Sequence, residues 1–187
     1  IKPMLHYMRL WDRLSSDRVD YFIANSSFVA KRIQKYYRRK SIVIHPPTEV
    51  EDFNLKESSK DFYLVLGQLT YYKRADLVVD AFLKTDKKLV VIGDGEQYHS
   101  LKKKENSRIK IMGRQNWDIC KQHLHDAKAL IFPGVEDFGM VPVEANSCGT
   151  PVICFAKGGA KETVVDGYSG GTGNYEIFVS ESVLEAT

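Results

Sequence analysis

The chain has few of the features that settle a function at once. Its three cysteines, Cys120, Cys148 and Cys154, are odd in number, lack the paired spacing of a zinc site and sit in apolar surroundings. Buried reduced thiols in a cytoplasm are therefore expected, not a disulfide framework. No apolar run approaches the ~20 residues of a membrane span. No signal peptide is visible, but the chain starts at Ile1 rather than methionine, so its natural N-terminus is expected to lie upstream. A net charge of +3 is too weak to imply nucleic acid. There is no G-x-x-x-x-G-K-[ST], which excludes a P-loop nucleotidase. Asp-x-Asp is absent too, and the five histidines form no metal-ligand pattern, so no metal is expected. What remains is an ordinary globular composition, 43% hydrophobic and 27% charged. At 187 residues it is long enough for one sound core, or for one domain and a piece of another.

From Asp61 onward, short apolar runs alternate with helical stretches. Strands are expected at 62–66, 88–92, 110–112, 129–132 and 152–155, with helices near 75–83, 96–104, 118–125 and 141–147. That alternation predicts a parallel, doubly wound α/β sheet of Rossmann type. Ahead of it, Val19–Ala24 is β-rich, Asn25-Ser26-Ser27 carries N-cap chemistry for a helix to about Tyr37, and Ser41–Ile44 reads as a strand. His45-Pro46-Pro47 stops any helix. The expected division is thus residues 1–47 as the end of one domain, 48–60 as a polar linker, and 61–187 as a second domain, incomplete at its end.

Chemistry concentrates in Glu136-Asp-Phe-Gly-Met-Val-Pro-Val-Glu144, where seven residues separate two carboxylates. Strand, glycine loop, helix and strand follow in order. In an open parallel sheet such a loop lies at the carboxyl ends of the strands, where ligands bind. Free amides at a helix start suit an anion, phosphate above all. An acid beside a phosphate site calls for a non-phosphate partner, and sugar hydroxyls are the natural one. Lys73 and Arg74, just after the first strand of this domain, can meet a diphosphate; the plainer reading is a solvated basic helix start. Gly93-Asp-Gly-Glu96 lacks the third glycine of G-x-G-x-x-G and reads as a structural turn. Lys31–Lys40 holds six cations among tyrosines, an amphipathic surface helix or one drawn to anionic lipid.

These runs together resemble the retaining glycosyltransferases of family 4, whose GT-B fold faces two Rossmann-like domains. Gly67-Gln-Leu-Thr-Tyr-Tyr-Lys-Arg-Ala-Asp76 is similar to that family's phosphate segment, with Gln68 where the family usually has arginine. Gly93-Asp-Gly-Glu96, Ile111-Met-Gly113 and Gly158-Gly-Ala-Lys-Glu-Thr163 fall in the family's order. His6-Tyr-Met-Arg-Leu-Trp-Asp12 and Val19–Ser26 resemble mannosyltransferases of surface-polysaccharide synthesis. The resemblance implies the C-terminal, donor-binding half of a GT-B enzyme, which on its own is expected to be inactive. It implies mannose transfer from GDP-mannose to a glycan or lipid-linked acceptor, without metal or nucleic acid. The expected location is the cytoplasm or the inner membrane face. Lys73, Arg74 and Glu136 would serve catalysis. Gly67, Gln68, Met112, Gly113, Phe138, Gly139, Met140 and Val141 would line the donor, and Glu144 would hold the ribose hydroxyls. A GT-B sugar-nucleotide epimerase and a non-catalytic nucleotide-sugar or partner-binding module stay open beside it.

Overall fold

The computed structural model describes residues 2–167 and 169–173; the expected incomplete end beyond them lies outside the described residues. Two compact units meet at Pro46/Pro47.

In the first unit, helices α1 (Lys2–Ser15) and α2 (Ser27–Tyr37) accompany a parallel pair of strands, β1 (Phe22–Ala24) and β2 (Ser41–Val43). The Ser26 side chain accepts from the Val29 amide at 3.1 Å and caps α2, as the Asn-Ser-Ser run predicts. The helix ends because Arg38 turns left-handed at φ 57°. Arg38, Arg39 and Lys40 therefore lie beyond the helix, so the six cations do not form one helical face. Arg39 turns back, donating to the carbonyls of Ser16 and Val19 at 3.1 and 2.7 Å. Helix α1 was not expected, although apolar residues at 4, 7, 8, 11 and 14 have helical spacing. No residue of it is buried.

The second unit carries a six-stranded parallel sheet. Its strands are β3 (Tyr63–Leu66), β4 (Leu89–Ile92), β5 (Ile109–Gly113), β6 (Ala129–Phe132), β7 (Val152–Phe155) and β8 (Gly170–Gly173), in the order β5-β4-β3-β6-β7-β8. The helices between them are α3 (Ala75–Phe82), α4 (Tyr98–Lys102), α5 (Trp117–Asp126), α6 (Met140–Ser147) and α7 (Ala160–Thr163). Strand alternation splits the core in two. Tyr63, Val65, Leu89, Val91 and Ile131 pack with Val78 and Phe82 of α3 and Leu101 of α4. Leu64, Ile92, Leu130, Val152 and Cys154 pack with Leu124 of α5, Ala145 of α6 and Ala160 of α7. Both faces are covered, which is why these strands read as continuous apolar runs. The sheet is the doubly wound α/β arrangement expected of the sequence.

Residues 48–60 are not a free linker. The Lys56 amide donates to the Cys148 carbonyl at 3.1 Å. Its ammonium donates to the Ala127 carbonyl at 2.6 Å and to Thr150 Oγ1 at 3.0 Å. Burial pushes the Lys56 pKa down. Most of the segment is exposed, but Lys56 ties it to the carbonyls at the ends of α5 and α6. Lys60 Nζ pairs with the Asp126 carboxylate at 2.7 Å, and the Lys60 amide donates to the Asp126 carbonyl at 2.7 Å. Burial alone would raise that carboxyl, but hydrogen bonds from Lys60, Gln122 and His125 prevail and bring it to about 2. Its folded pKa lies below the unfolded one, so its contribution is complete above about pH 4 and disappears as the pH falls through about 2. With exposure of the lysine discounted, about 1 kcal/mol is at stake. Asp126→Asn should flatten the acid limb of thermal stability between pH 4 and 2; an unaltered limb refutes this.

Candidate functional site

In the sheet order, the chain steps outward from β3 to β5 and then returns to place β6 on the other side of β3. The turning point of the sheet order therefore lies between β3 and β6, the place outside the carboxyl ends of the strands where such sheets bind ligands. From β3, the chain runs through Gly67 and Gln68 into a tight turn at Tyr71–Lys73, then reverses at Arg74. Arg74 adopts φ 57°, a left-handed conformation rare outside glycine, and this turn sets the start of α3. From β6, the chain runs through Pro133 and Gly134 to Glu136. A Cβ on Gly134 would lie 3.0 Å from the Lys73 Cα, so the two loops touch backbone to backbone.

Across this contact Lys73 Nζ lies 2.7 Å from Glu136 Oε1, each side chain 22% exposed. The contact is one of charge, because Oε1 meets no donor at hydrogen-bonding geometry. The Lys73–Glu136 pair walls a recess of about 20 Å³ with Gly67, Gln68 and Gly134, room for little more than one oxygen. Gly67 and Gln68 also line an adjoining cavity of about 540 Å³, closed on its far side by Asp94, Arg114, Gln115 and Cys120. That volume is of the order of a small-molecule site.

Phe138 is buried, and Gly139 turns the chain at φ 87° into α6 without offering a side-chain cap. The first-turn amides of Met140 and Val141 thus have no cap from Gly139, and Pro142 after them has no N–H to satisfy. One turn in, Glu144 is half-buried, and burial alone pushes its pKa up. It lies near enough to Cys120 to add to the rise that burial causes in that thiol. Among the described residues its carboxylate has no hydrogen bond or ion pair. Burial also raises Cys148 and Cys154 to about 11, so these free thiols stay protonated and inert.

The expected site residues divide. Lys73, Glu136, Gly67 and Gln68 meet at the recess, whereas Phe138–Val141 and Glu144 lie at and within the first turns of α6 and line neither cavity. Arg74 lines neither cavity; its Nε lies 3.3 Å from Asp76 Oδ1. Met112 and Gly113 do not line the large cavity either. Their carbonyls accept from Gln115 Nε2 at 2.8 Å and from the Gly93 amide at 3.0 Å. Arg114 and Gln115, the next two residues, take their place. Asp94 and Gly95 were missed as lining residues. The signal was Gly93-Asp-Gly-Glu96 at the end of a strand beside the cleft, which sequence reasoning assigned to structure alone.

The unpartnered Glu144 supplies a test. Its folded pKa is raised, so its ionisation costs stability, and that cost is felt as the pH rises through the folded pKa. Glu144→Gln should raise the melting temperature at pH 7; if the ribose role that the resemblance implies holds, it should also weaken a ribose-containing ligand by about tenfold, the loss of a charge-assisted bond. Calorimetry and thermal melts check both, and a lowered melting temperature with unchanged affinity refutes the assignment.

Glycosyl transferases group 1, as a family, match residues 47–174. The chain belongs to that family. It is 29% identical over 167 residues to an uncharacterised glycosyltransferase of Methanocaldococcus jannaschii, covering 87% of this chain and 47% of that protein. It is 26% identical over 181 residues to D-inositol 3-phosphate glycosyltransferase of Mycobacterium marinum, covering 82% and 39%. Among solved structures, HepE of Anabaena in complex with UDP-glucose superposes with a TM-score of 0.77 at 22% identity, covering 90% of this chain and 55% of that one. The chain thus spans about half the length of the relatives it matches. The recess and the larger cavity share one wall, formed by Gly67 and Gln68.

Proposed function

We propose that this chain supplies the donor half of a retaining glycosyltransferase, which moves a hexosyl group from a nucleotide sugar to a glycan or lipid-linked acceptor. The observation that carries this is the Lys73–Glu136 pair at the switch point; on α6, the half-buried Glu144 has no partner of its own among the described residues. In this reading the nucleoside fills the 540 Å³ cavity and its ribose hydroxyls donate to Glu144. The diphosphate meets Lys73, and a sugar hydroxyl donates to Glu136. The amides of Met140 and Val141, at the positive end of α6, take the distal phosphate oxygens.

Chemistry in this arrangement is mostly electrostatic. As the glycosidic C–O bond to the distal phosphate breaks, negative charge grows on that phosphate, where Lys73 and the helix start neutralise it. The acceptor hydroxyl attacks from the same face, and the departing phosphate oxygen takes its proton. Gln68 contributes a neutral amide where a guanidinium would add charge. Arg74 acts on the turn and not on the phosphate.

GDP-mannose is the donor favoured by the resemblance of the first unit to mannosyltransferases. UDP-glucose is the second reading, supported by the HepE complex. The place of work is the cytoplasm, with α2 able to meet an anionic membrane surface; no helix among the described residues is long and apolar enough to cross one. Calorimetric titration with GDP-mannose, UDP-glucose, GDP and UDP tests the proposal. Saturable binding of one sugar nucleotide supports it and selects the donor, and binding of none overturns it.

A further inference from the structure

We infer that Glu136 is a counter-ion that the donor must displace, and that it makes the site discriminate sugar nucleotides from spent nucleoside diphosphates. The inference rests on the donor-site reading above and adds to it a competition for one lysine. Lys73 Nζ is held at 2.7 Å by Glu136 Oε1, and the recess around them is only about 20 Å³. The recess has room for little more than one oxygen, so a diphosphate that meets the lysine there comes up against the carboxylate as well. Neither side chain is freely solvated, so the pair is screened less than an exposed one.

A nucleoside diphosphate alone gains Lys73 but strands Glu136. The displaced carboxylate then has no cation, and the incoming phosphate oxygens repel it. A sugar nucleotide brings hydroxyls to the same place, and these donate to the carboxylate that the phosphate has displaced. Only the complete donor satisfies both halves of the broken pair. The backbone that carries Glu136 is held in place, so displacement of the carboxylate is a rotation of its side chain alone. The Glu136 carbonyl accepts from the Gly159 amide at 2.8 Å, and a Cβ on Gly158 would lie 2.7 Å from that oxygen. Phe138, two residues on, is anchored in the protein. Once the sugar has left, Glu136 can return to Lys73 and favour release of the nucleoside diphosphate.

The consequence is a gain of affinity on removing a charge. Glu136→Gln should bind GDP, UDP or pyrophosphate about tenfold more tightly than the wild type. The sugar nucleotide should change by less than about threefold, so its advantage over the diphosphate contracts. The free nucleoside, which does not reach Lys73, should bind equally to both proteins. Calorimetry of the chain and its variant at one ionic strength measures all of these, with a thermal melt to show that both are folded.

Diphosphate affinity that is unchanged or reduced in a folded Glu136→Gln protein would overturn the inference while leaving the donor site standing. An equal gain for nucleoside and diphosphate would also overturn it, because that would mark a general rearrangement. If neither protein binds any of the nucleotides, the donor-site reading falls and this inference with it.

Discussion

Replacing Lys73 with alanine should weaken nucleotide-diphosphate binding by about ten- to a hundredfold, from the ~1.5–3 kcal/mol of a charge-assisted bond. The lysine is the cation that the loop after β3 presents to the recess, and Arg74, committed to the turn beside Asp76, is not placed to replace it. The loss should exceed that of a simple deletion. Without Lys73, Glu136 is left as an uncompensated, three-quarters-buried charge facing the diphosphate. A Lys73→Ala, Glu136→Gln double variant should therefore recover part of the loss, and the non-additivity measures the pairing. Titration with GDP and UDP gives the answer. Undiminished affinity in Lys73→Ala would remove the phosphate from this recess altogether.

How much of this was legible in the chain depends on where each contact came from. Strands 129–132 and 152–155 were read to the residue, because each is a fully apolar run bounded by a charge or a proline. The acids at 136 and 144 stood out for the same local reason, as charges beside a glycine in a strand-to-helix loop. The helix expected at 96–104 is only Tyr98–Lys102. Its start was diverted, since the Glu96 carboxylate accepts from the Tyr71 amide at 3.0 Å and the Gln97 amide donates to the Leu69 carbonyl at 2.9 Å. A neighbouring loop, distant in sequence, claimed the groups that would have begun the helix.

The same reason separates Lys56 from the linker it was expected to join. A polar segment looks solvated until the carbonyls it serves, at Ala127 and Cys148, are brought beside it. Arg74 shows the converse. Its charge was visible and suggested phosphate, whereas its left-handed φ and its approach to Asp76 were not. Local composition can propose a cation for the site. Only the fold decides whether that cation faces the ligand or the backbone.

The other large effect is expected at a glycine that carries no chemistry. Gly159 follows β7 at an ordinary φ of −70°, so alanine would suffer no backbone strain there. A Cβ, however, would lie 2.2 Å from the Asp137 carbonyl oxygen and 2.4 Å from the Phe138 Cα. Those are backbone atoms and cannot rotate aside, so Gly159→Ala must displace the loop that carries Glu136. Overpacking of this kind costs about 1–3 kcal/mol. Donor binding should fall further than the lost stability implies, because the Gly159 amide also holds the Glu136 carbonyl. Gly171→Ala, where nothing lies within 4 Å of the added Cβ, is the matched control and should leave the melting temperature and affinity near those of the parent. If Gly159→Ala proves as stable and as competent as that control, the loop is free to shift, and the close fit of the β7 turn is not what holds Glu136 against Lys73. If it stays folded but loses the sugar nucleotide, position rather than charge alone makes the carboxylate effective, and the Gly158-Gly159 turn belongs to the site although it touches no ligand.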